Sequence, residues 1–207
     1  MKKFYSALLL AAAFVLAPFT SASAAGGYDE ITPAFNTSSG DKVEVIEFFW
    51  LGCPHCYSFD PAIESWRETK PDHAAFVREA PPLNPAWESH SRGFYAAQVL
   101  GIEDEFVQAM FDAIHGPNKK GNMRKPAAIA KLAATLGVDE KKFLGAMNSF
   151  AVNTKLNRSI ELAQAAQITG VPAIVVNGKY LTSVSRAGSN AGVIQAINDL
   201  VEKENNK

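Results

Sequence analysis

The stretch Glu47-Phe48-Phe49-Trp50-Leu51-Gly52-Cys53-Pro54-His55-Cys56-Tyr57 runs from an apolar strand pattern, through a short turn, into a helical pattern. Cys53 and Cys56 are the only cysteines among the 207 residues. A Cys-x-x-Cys pair has several meanings, half a zinc site among them. Where a buried strand hands over to a helix, it reads as a redox centre. A thiol at the first turn of a helix faces unpaired backbone N–H groups and the positive end of the helix dipole, and both favour thiolate over thiol. The second cysteine, one turn later, can reach the first and close a small disulfide. Such a tight loop adds little stability, so the pair reads as reactive rather than as a staple.

The neighbouring residues support a strand, turn and helix. Val43 to Phe49 is apolar on both faces, as expected of a central strand covered on both sides. Val43, Val45, Glu47 and Phe49 share one face, which makes Glu47 a buried acid candidate six residues before Cys53. Glu44 reads as an ordinary exposed charge at the strand start. After the cysteines, Cys56, Phe59, Ile63 and Trp66 form one helix face, putting Cys56 on the packed side and Cys53 at an exposed tip. Pro61 falls inside this helix and is expected to kink it.

Further along, Tyr28 to Ile31 reads as a short first strand and Ala74 to Ala80 as another. From Ala86 to about Ile168 only helical patterns occur: Ala86–Leu100, Glu103–His115, Pro126–Leu136, Asp139–Phe150 and Asn153–Ile168, punctuated by glycines. Strand chemistry returns at Ala173 to Val176, followed by Asn177-Gly178 and Lys179 to Leu181, a hairpin signal. A last helix starts near Ser189. These readings predict an α/β fold with a helical insertion: residues 25–82 and 153–207 form the two parts of one domain, and 83–152 the insertion.

The first 24 residues read as a secretory signal peptide. Lys2 and Lys3 precede an apolar run from Phe4 to Ala17, and Ala22-Ser23-Ala24 is a small-residue cleavage site. An exported protein is therefore expected. No later segment is long and apolar enough to span a membrane. Residues 25–207 carry three more acidic than basic side chains, which points to no nucleic-acid partner.

Several motifs carry a closer resemblance: Glu47-Phe48-Phe49, Cys53-Pro54-His55-Cys56, Phe59-Asp60, Gly170-Val171-Pro172-Ala173 and Asn177-Gly178-Lys179-Tyr180. In this order the chain resembles the DsbA family of periplasmic thiol:disulfide oxidases, over nearly all of residues 25–207. The resemblance implies a thioredoxin fold interrupted by an all-helical domain, an active site at their junction, and a cis peptide before Pro172. It also implies that reduced, unfolded exported proteins are the substrates and that a DsbB-type membrane quinone reductase reoxidises the enzyme. Family members often pair the buried acid with a lysine on the neighbouring strand. Here Arg78 occupies that strand.

The expected roles follow. Cys53 is the nucleophile and Cys56 the resolving thiol; Pro54 and His55 lie between them, and a protonated His55 imidazole adds to the helix-end field. Stabilising the Cys53 thiolate stabilises the reduced protein and makes the disulfide a stronger oxidant, a direction known for that family. Val171 and Pro172 are expected to receive an extended substrate strand. Trp50, Leu51 and Tyr57 read as an apolar rim for unfolded chains, with core packing equally able to explain Trp50. His73, His90 and His115 belong to no motif and read as surface or satisfied core residues.

Two other functions fit the residues less well. A disulfide isomerase or reductase shares the chemistry, but DsbC-type isomerases carry a separate dimerisation domain, for which Ala25 to Gly52 leaves no room. A monomer is expected. A metal-binding module would need more ligands than two thiols, and no second Cys-x-x-Cys or His-x-x-x-His completes a tetrahedral site. No cofactor beyond the cysteine pair, and no metal, is expected.

Overall fold

The computed structural model describes residues 26–207, so the expected leader, residues 1–24, lies outside the described residues. Strand β1 (Tyr28–Glu30) and strand β2 (Val43–Phe48) precede helix α1 (Pro54–Thr69) and strand β3 (Ala74–Glu79). A single 3-10 turn at Pro85–Trp87 leads into helices α2 (Glu88–Leu100), α3 (Glu103–His115), α4 (Pro126–Ala134), α5 (Glu140–Met147) and α6 (Phe150–Ala165). Strands β4 (Ala173–Val176) and β5 (Tyr180–Thr182), a one-turn helix α7 (Val184–Ala187) and helix α8 (Asn190–Asn205) complete the chain.

The five strands form one sheet in the order β1-β5-β4-β2-β3. Only β2 and β3 run parallel, joined by the α1 crossover, and the other pairs are antiparallel. Every residue of β2 is buried because both faces are covered. Val43 and Val45 pack with Phe59 and Ile63 of α1 and Ile197 and Leu200 of α8. Ile46 and Phe48 point the other way, against Ala163 and Ala166 at the end of α6. The period-two alternation of the sequence thus becomes two helix-covered faces.

The remaining helices build a third cluster. Phe94, Phe106, Met110, Phe111, Ile129 and Phe143 are almost wholly buried within it. Phe49, Leu51, Cys53 and Cys56 join this cluster rather than either sheet face. The redox pair therefore sits on the seam between sheet and helical insertion.

Several expectations need correction. Glu44 is only 2% exposed. The loop before β2 folds back so that the Ser38 backbone N–H and the Ser38 and Ser39 hydroxyls donate to its carboxylate at 3.0, 2.9 and 2.5 Å. The helix expected at Asp139–Phe150 stops at Met147, and the next begins at Phe150, because the Ser149 side chain accepts from Val152 N–H and caps a new helix. Other expectations hold: Pro61 lies inside α1, whose sixteen residues continue through it. The cis peptide expected before Pro172 is present, and Thr32–Pro33 is cis as well.

Candidate active site

Cys53 is the N-cap residue of α1, with extended backbone (φ −88°, ψ 118°), and Pro54 fills the first helical position. The turn before it is closed by the Cys53 N–H donating to the Trp50 carbonyl at 2.9 Å, and the Tyr57 N–H donates back to the Cys53 carbonyl at 3.1 Å. Both cysteines are free thiols. The Cys53 sulfur is not the exposed tip that the pattern suggested: the residue is 6% exposed, and its sulfur lies 3.5 Å from the Val171 carbonyl oxygen. The approach to β4 closes over it. His55 and Pro54 are exposed beside it, and Cys56 is fully buried behind it.

This geometry separates the two thiols electrostatically. The Cys56 thiol, donating to the Cys53 sulfur, is the main influence that lowers the Cys53 pKa to about 6. Burial opposes it, and the Cys56 and His55 backbone N–H groups and the His55 charge reinforce it. Burial, and then the bond to Cys53, push the Cys56 thiol well above its ordinary value. One sulfur is thus held as thiolate near neutrality and the other as thiol.

Behind Cys56, Glu47 and Arg78 lie side by side in the parallel β2–β3 register. Arg78 Nε donates to Glu47 at 2.7 Å, and its Nη2 donates to Asp60 at 2.6 Å and lies 3.0 Å from Glu64. Glu47 and Arg78 are 1% and 4% exposed. Burial raises the Glu47 and Asp60 carboxyls above their ordinary values despite the guanidinium between them. The negative charge of Glu47 is itself one of the influences that raise Cys56. Arg78 satisfies several carboxylates at once because its planar fork has donors on two sides.

On the other flank of Cys53, a groove of about 480 Å³ runs along Val171, Pro172 and Leu181 towards Val184, with His55 at its near edge. Leu51 is 1% exposed, so it belongs to the core and not to an apolar rim. Trp50 and Tyr57 are half-buried. The Trp50 ring stacks on Trp87, with centroids 4.4 Å apart and planes at 4°, and the His90 ring lies 5.8 Å from it at 28°. Burial lowers the His90 pKa to about 4, so this histidine is neutral.

Among the described residues no group of His, Cys, Asp and Glu side chains is arranged to hold a metal ion. The sequence pattern missed His115. Its Nε2 lies 2.9 Å from the Leu51 carbonyl, a contact in which the imidazole must donate, and its ring stacks on Tyr57 at 5.3 Å. The last residue of α3 thus grips the turn that presents Cys53. Its sequence signal is faint: a histidine at a helix end, just before Gly116-Pro117.

The family profile described as DSBA-like thioredoxin domain matches residues 44–191, a span holding both cysteines and Val171-Pro172. The chain belongs to the DsbA family. It is 41% identical over 212 residues to the thiol:disulfide interchange protein DsbA of Burkholderia cepacia, covering 100% of this chain and 99% of the relative. Against the protein of the same name from Pseudomonas aeruginosa strain PAO1 it is 39% identical, covering 86% of this chain and 83% of the relative. The crystal structure of Pseudomonas aeruginosa DsbA superposes with a TM-score of 0.80 at 38% identity, over 86% of this chain and 92% of that one. The oxidoreductase DsbA from Xylella fastidiosa superposes with a TM-score of 0.79 at 27% identity, over 87% and 96%. These agreements establish the thioredoxin-like DsbA fold with its helical insertion.

Proposed function

We propose that this protein is a thiol:disulfide oxidase that donates a Cys53–Cys56 disulfide to newly exported proteins. The observation that carries the reading is the split between the two sulfurs: Cys53 lowered to about 6 and Cys56 raised well above its ordinary value. A substrate thiolate attacks Cys53 Sγ, the Cys53–Cys56 bond breaks, and its electron pair leaves on Cys56. With its raised pKa, Cys56 takes a proton and stays a thiol. A second substrate thiolate then attacks the substrate sulfur of the mixed disulfide, and Cys53 leaves as a stabilised thiolate. Two electrons pass from the substrate dithiol to the protein. Of the two substrate protons, one ends on Cys56 and one in solvent.

Other residues have supporting parts in this reading. The exposed His55 adds positive field at Cys53. Pro54 fixes the first helical turn without a surplus N–H donor. Val171 and Pro172, beside the sulfur and lining the groove, receive the substrate backbone. Glu47, buried behind Cys56 and pushed towards its protonated form, relays a proton to Cys56 and is reprotonated by one that the substrate thiols release. Localisation follows from the leader pattern: a periplasmic protein, acting on reduced unfolded chains and reoxidised by a DsbB-type membrane quinone reductase. We also read residues 83–152 as the inserted unit between 25–82 and 153–207, supplying most of the aromatic cluster that Phe49 and the two cysteines join.

The test is disulfide transfer. Oxidised protein mixed with a reduced, unfolded dithiol substrate should lose its disulfide as the substrate gains one, mole for mole. Cys53→Ser should abolish transfer, whereas Cys56→Ser, oxidised on Cys53 to a mixed disulfide with glutathione, should pass on only that single group. Transfer by the Cys53→Ser protein would overturn the assignment.

A further inference from the structure

The loop joining α3 to α4 presses both its ends against the redox turn. At one end His115 holds the Leu51 carbonyl. At the other, the Arg124 guanidinium lies 6.0 Å from the centroid of the Trp50 ring. That ring in turn lies across Gly52, where an added Cβ would come within 2.3 Å of it. Two further anchors hold the loop: Met123 is 8% exposed, and the Asn122 carbonyl lies 2.9 Å from His90 Nε2.

Between these anchors the charges are of one sign. Lys119, Lys120, Arg124 and Lys125 are all exposed. Among the described residues, none of the four forms an ion pair with a carboxylate. The sequence contains no acidic residue between Asp112 and Asp139. Residues 25–207 as a whole are net acidic, so these cations form a local reversal of sign on the loop whose ends meet the redox turn. The stacked Trp50 and Trp87 rings add a half-buried aromatic platform.

From this juxtaposition we infer that the 116–125 loop, with Trp50 and Trp87, is a docking surface for an acidic segment flanking the reactive cysteine of the polypeptide being oxidised. The inference rests on the oxidase reading and adds a substrate preference to it. Arg124 offers a planar fork suited to a carboxylate, and the three lysines act as point charges around it. The aromatic platform accepts apolar residues between the acids. Such a field speeds encounter with acidic chains and opposes basic ones, and it weakens as salt shortens the screening length. An anionic lipid surface would meet the same cations, and the experiment separates the two.

The test uses the oxidised protein and three reduced two-cysteine peptides that differ only in flanking residues: acidic, neutral and basic. At low salt the acidic peptide should be oxidised about tenfold faster than the basic one, and the ratio should approach unity at high salt. In the Lys119→Glu/Lys120→Glu/Lys125→Glu protein the acidic-to-basic ratio should invert, a readout independent of any general loss of activity. Equal rates for acidic and basic peptides at low salt, or an unchanged ratio in that variant, would overturn the inference. So would loss of binding to phosphatidylglycerol vesicles in the variant with the peptide ratio intact, which would assign the surface to lipid. The neutral peptide keeps the two claims apart. If it is not oxidised at all, the oxidase reading fails; if it is oxidised and only the ratio is flat, the docking surface alone fails.

Discussion

Removing the Cys56 thiol probes what sets the chemistry of Cys53. The hydrogen bond from Cys56 is the largest influence holding Cys53 at about 6, ahead of the backbone N–H groups and the His55 charge. A hydrogen bond to a charged group contributes about 1.5–3 kcal/mol. At about 1.36 kcal/mol per pKa unit, its loss corresponds to roughly one to two units. Cys56→Ala should therefore move the Cys53 midpoint from about 6 to between about 7 and 8. Cys56→Ser restores a donor of similar size and should recover a good part of the shift. The assay is the thiolate absorbance of the reduced protein against pH, checked by the pH dependence of alkylation at Cys53. Were the midpoint to stay near 6 in Cys56→Ala, the helix end and His55 would be setting the thiolate, and the hydrogen bond from the Cys56 thiol would have no such role.

Other perturbations follow from the same geometry. Because the Cys53 pKa in the folded reduced protein lies below its ordinary 9.0, the stabilisation it brings is complete above about 9 and is lost as pH falls through about 6. The stability advantage of reduced wild type over Cys53→Ser should thus shrink by about 2–3 kcal/mol between pH 8 and pH 5, measured by urea unfolding; a constant difference would contradict it. Arg78→Met leaves Glu47 and Asp60 buried without their cation and should cost about 3–5 kcal/mol, whereas the double change Glu47→Leu/Arg78→Met should recover part of the loss. A loss below about 1 kcal/mol in the single variant would mean the network is not satisfied through Arg78. For His115, the glutamine variant keeps a donor for the Leu51 carbonyl and the phenylalanine variant keeps only the ring. Gln should preserve the Cys53 titration and Phe should shift it; equal behaviour of the two would assign His115 to ring packing alone.

Much of this arrangement is legible in the residues, and the illegible parts have physical reasons. Alternation in Val43 to Phe49 reports two covered faces because each strand residue faces a fixed side, and the structure places α1 and α8 on one side and α6 on the other. The Cys56–Phe59–Ile63–Trp66 stripe reports burial for the same reason. Periodicity says nothing about what a distant loop does. Glu44 looked exposed because only its strand neighbours were visible, yet the Ser38–Ser39 turn folds onto it. Cys53 looked exposed because the Val171 carbonyl arrives from 118 residues away. His115 has no motif, and its reach to Leu51 depends on how α3 docks. The break at Ser149 is made by one side chain accepting from the Val152 N–H, a contact that helical spacing does not report. Leu51 sits in a motif but packs inward, since turn residues follow no period.

The equilibrium potential of the Cys53–Cys56 pair tests the oxidase chemistry most directly. A thiol lowered from 9.0 to about 6 corresponds to roughly 90 mV of added oxidising power, at about 30 mV per unit for a two-electron couple. Equilibrated with graded ratios of reduced to oxidised glutathione, the pair should remain largely reduced in mixtures that convert an ordinary dithiol to its disulfide. A pair that instead stays oxidised until strongly reducing ratios would be a structural or reductase-type disulfide, and the oxidase account would be contradicted.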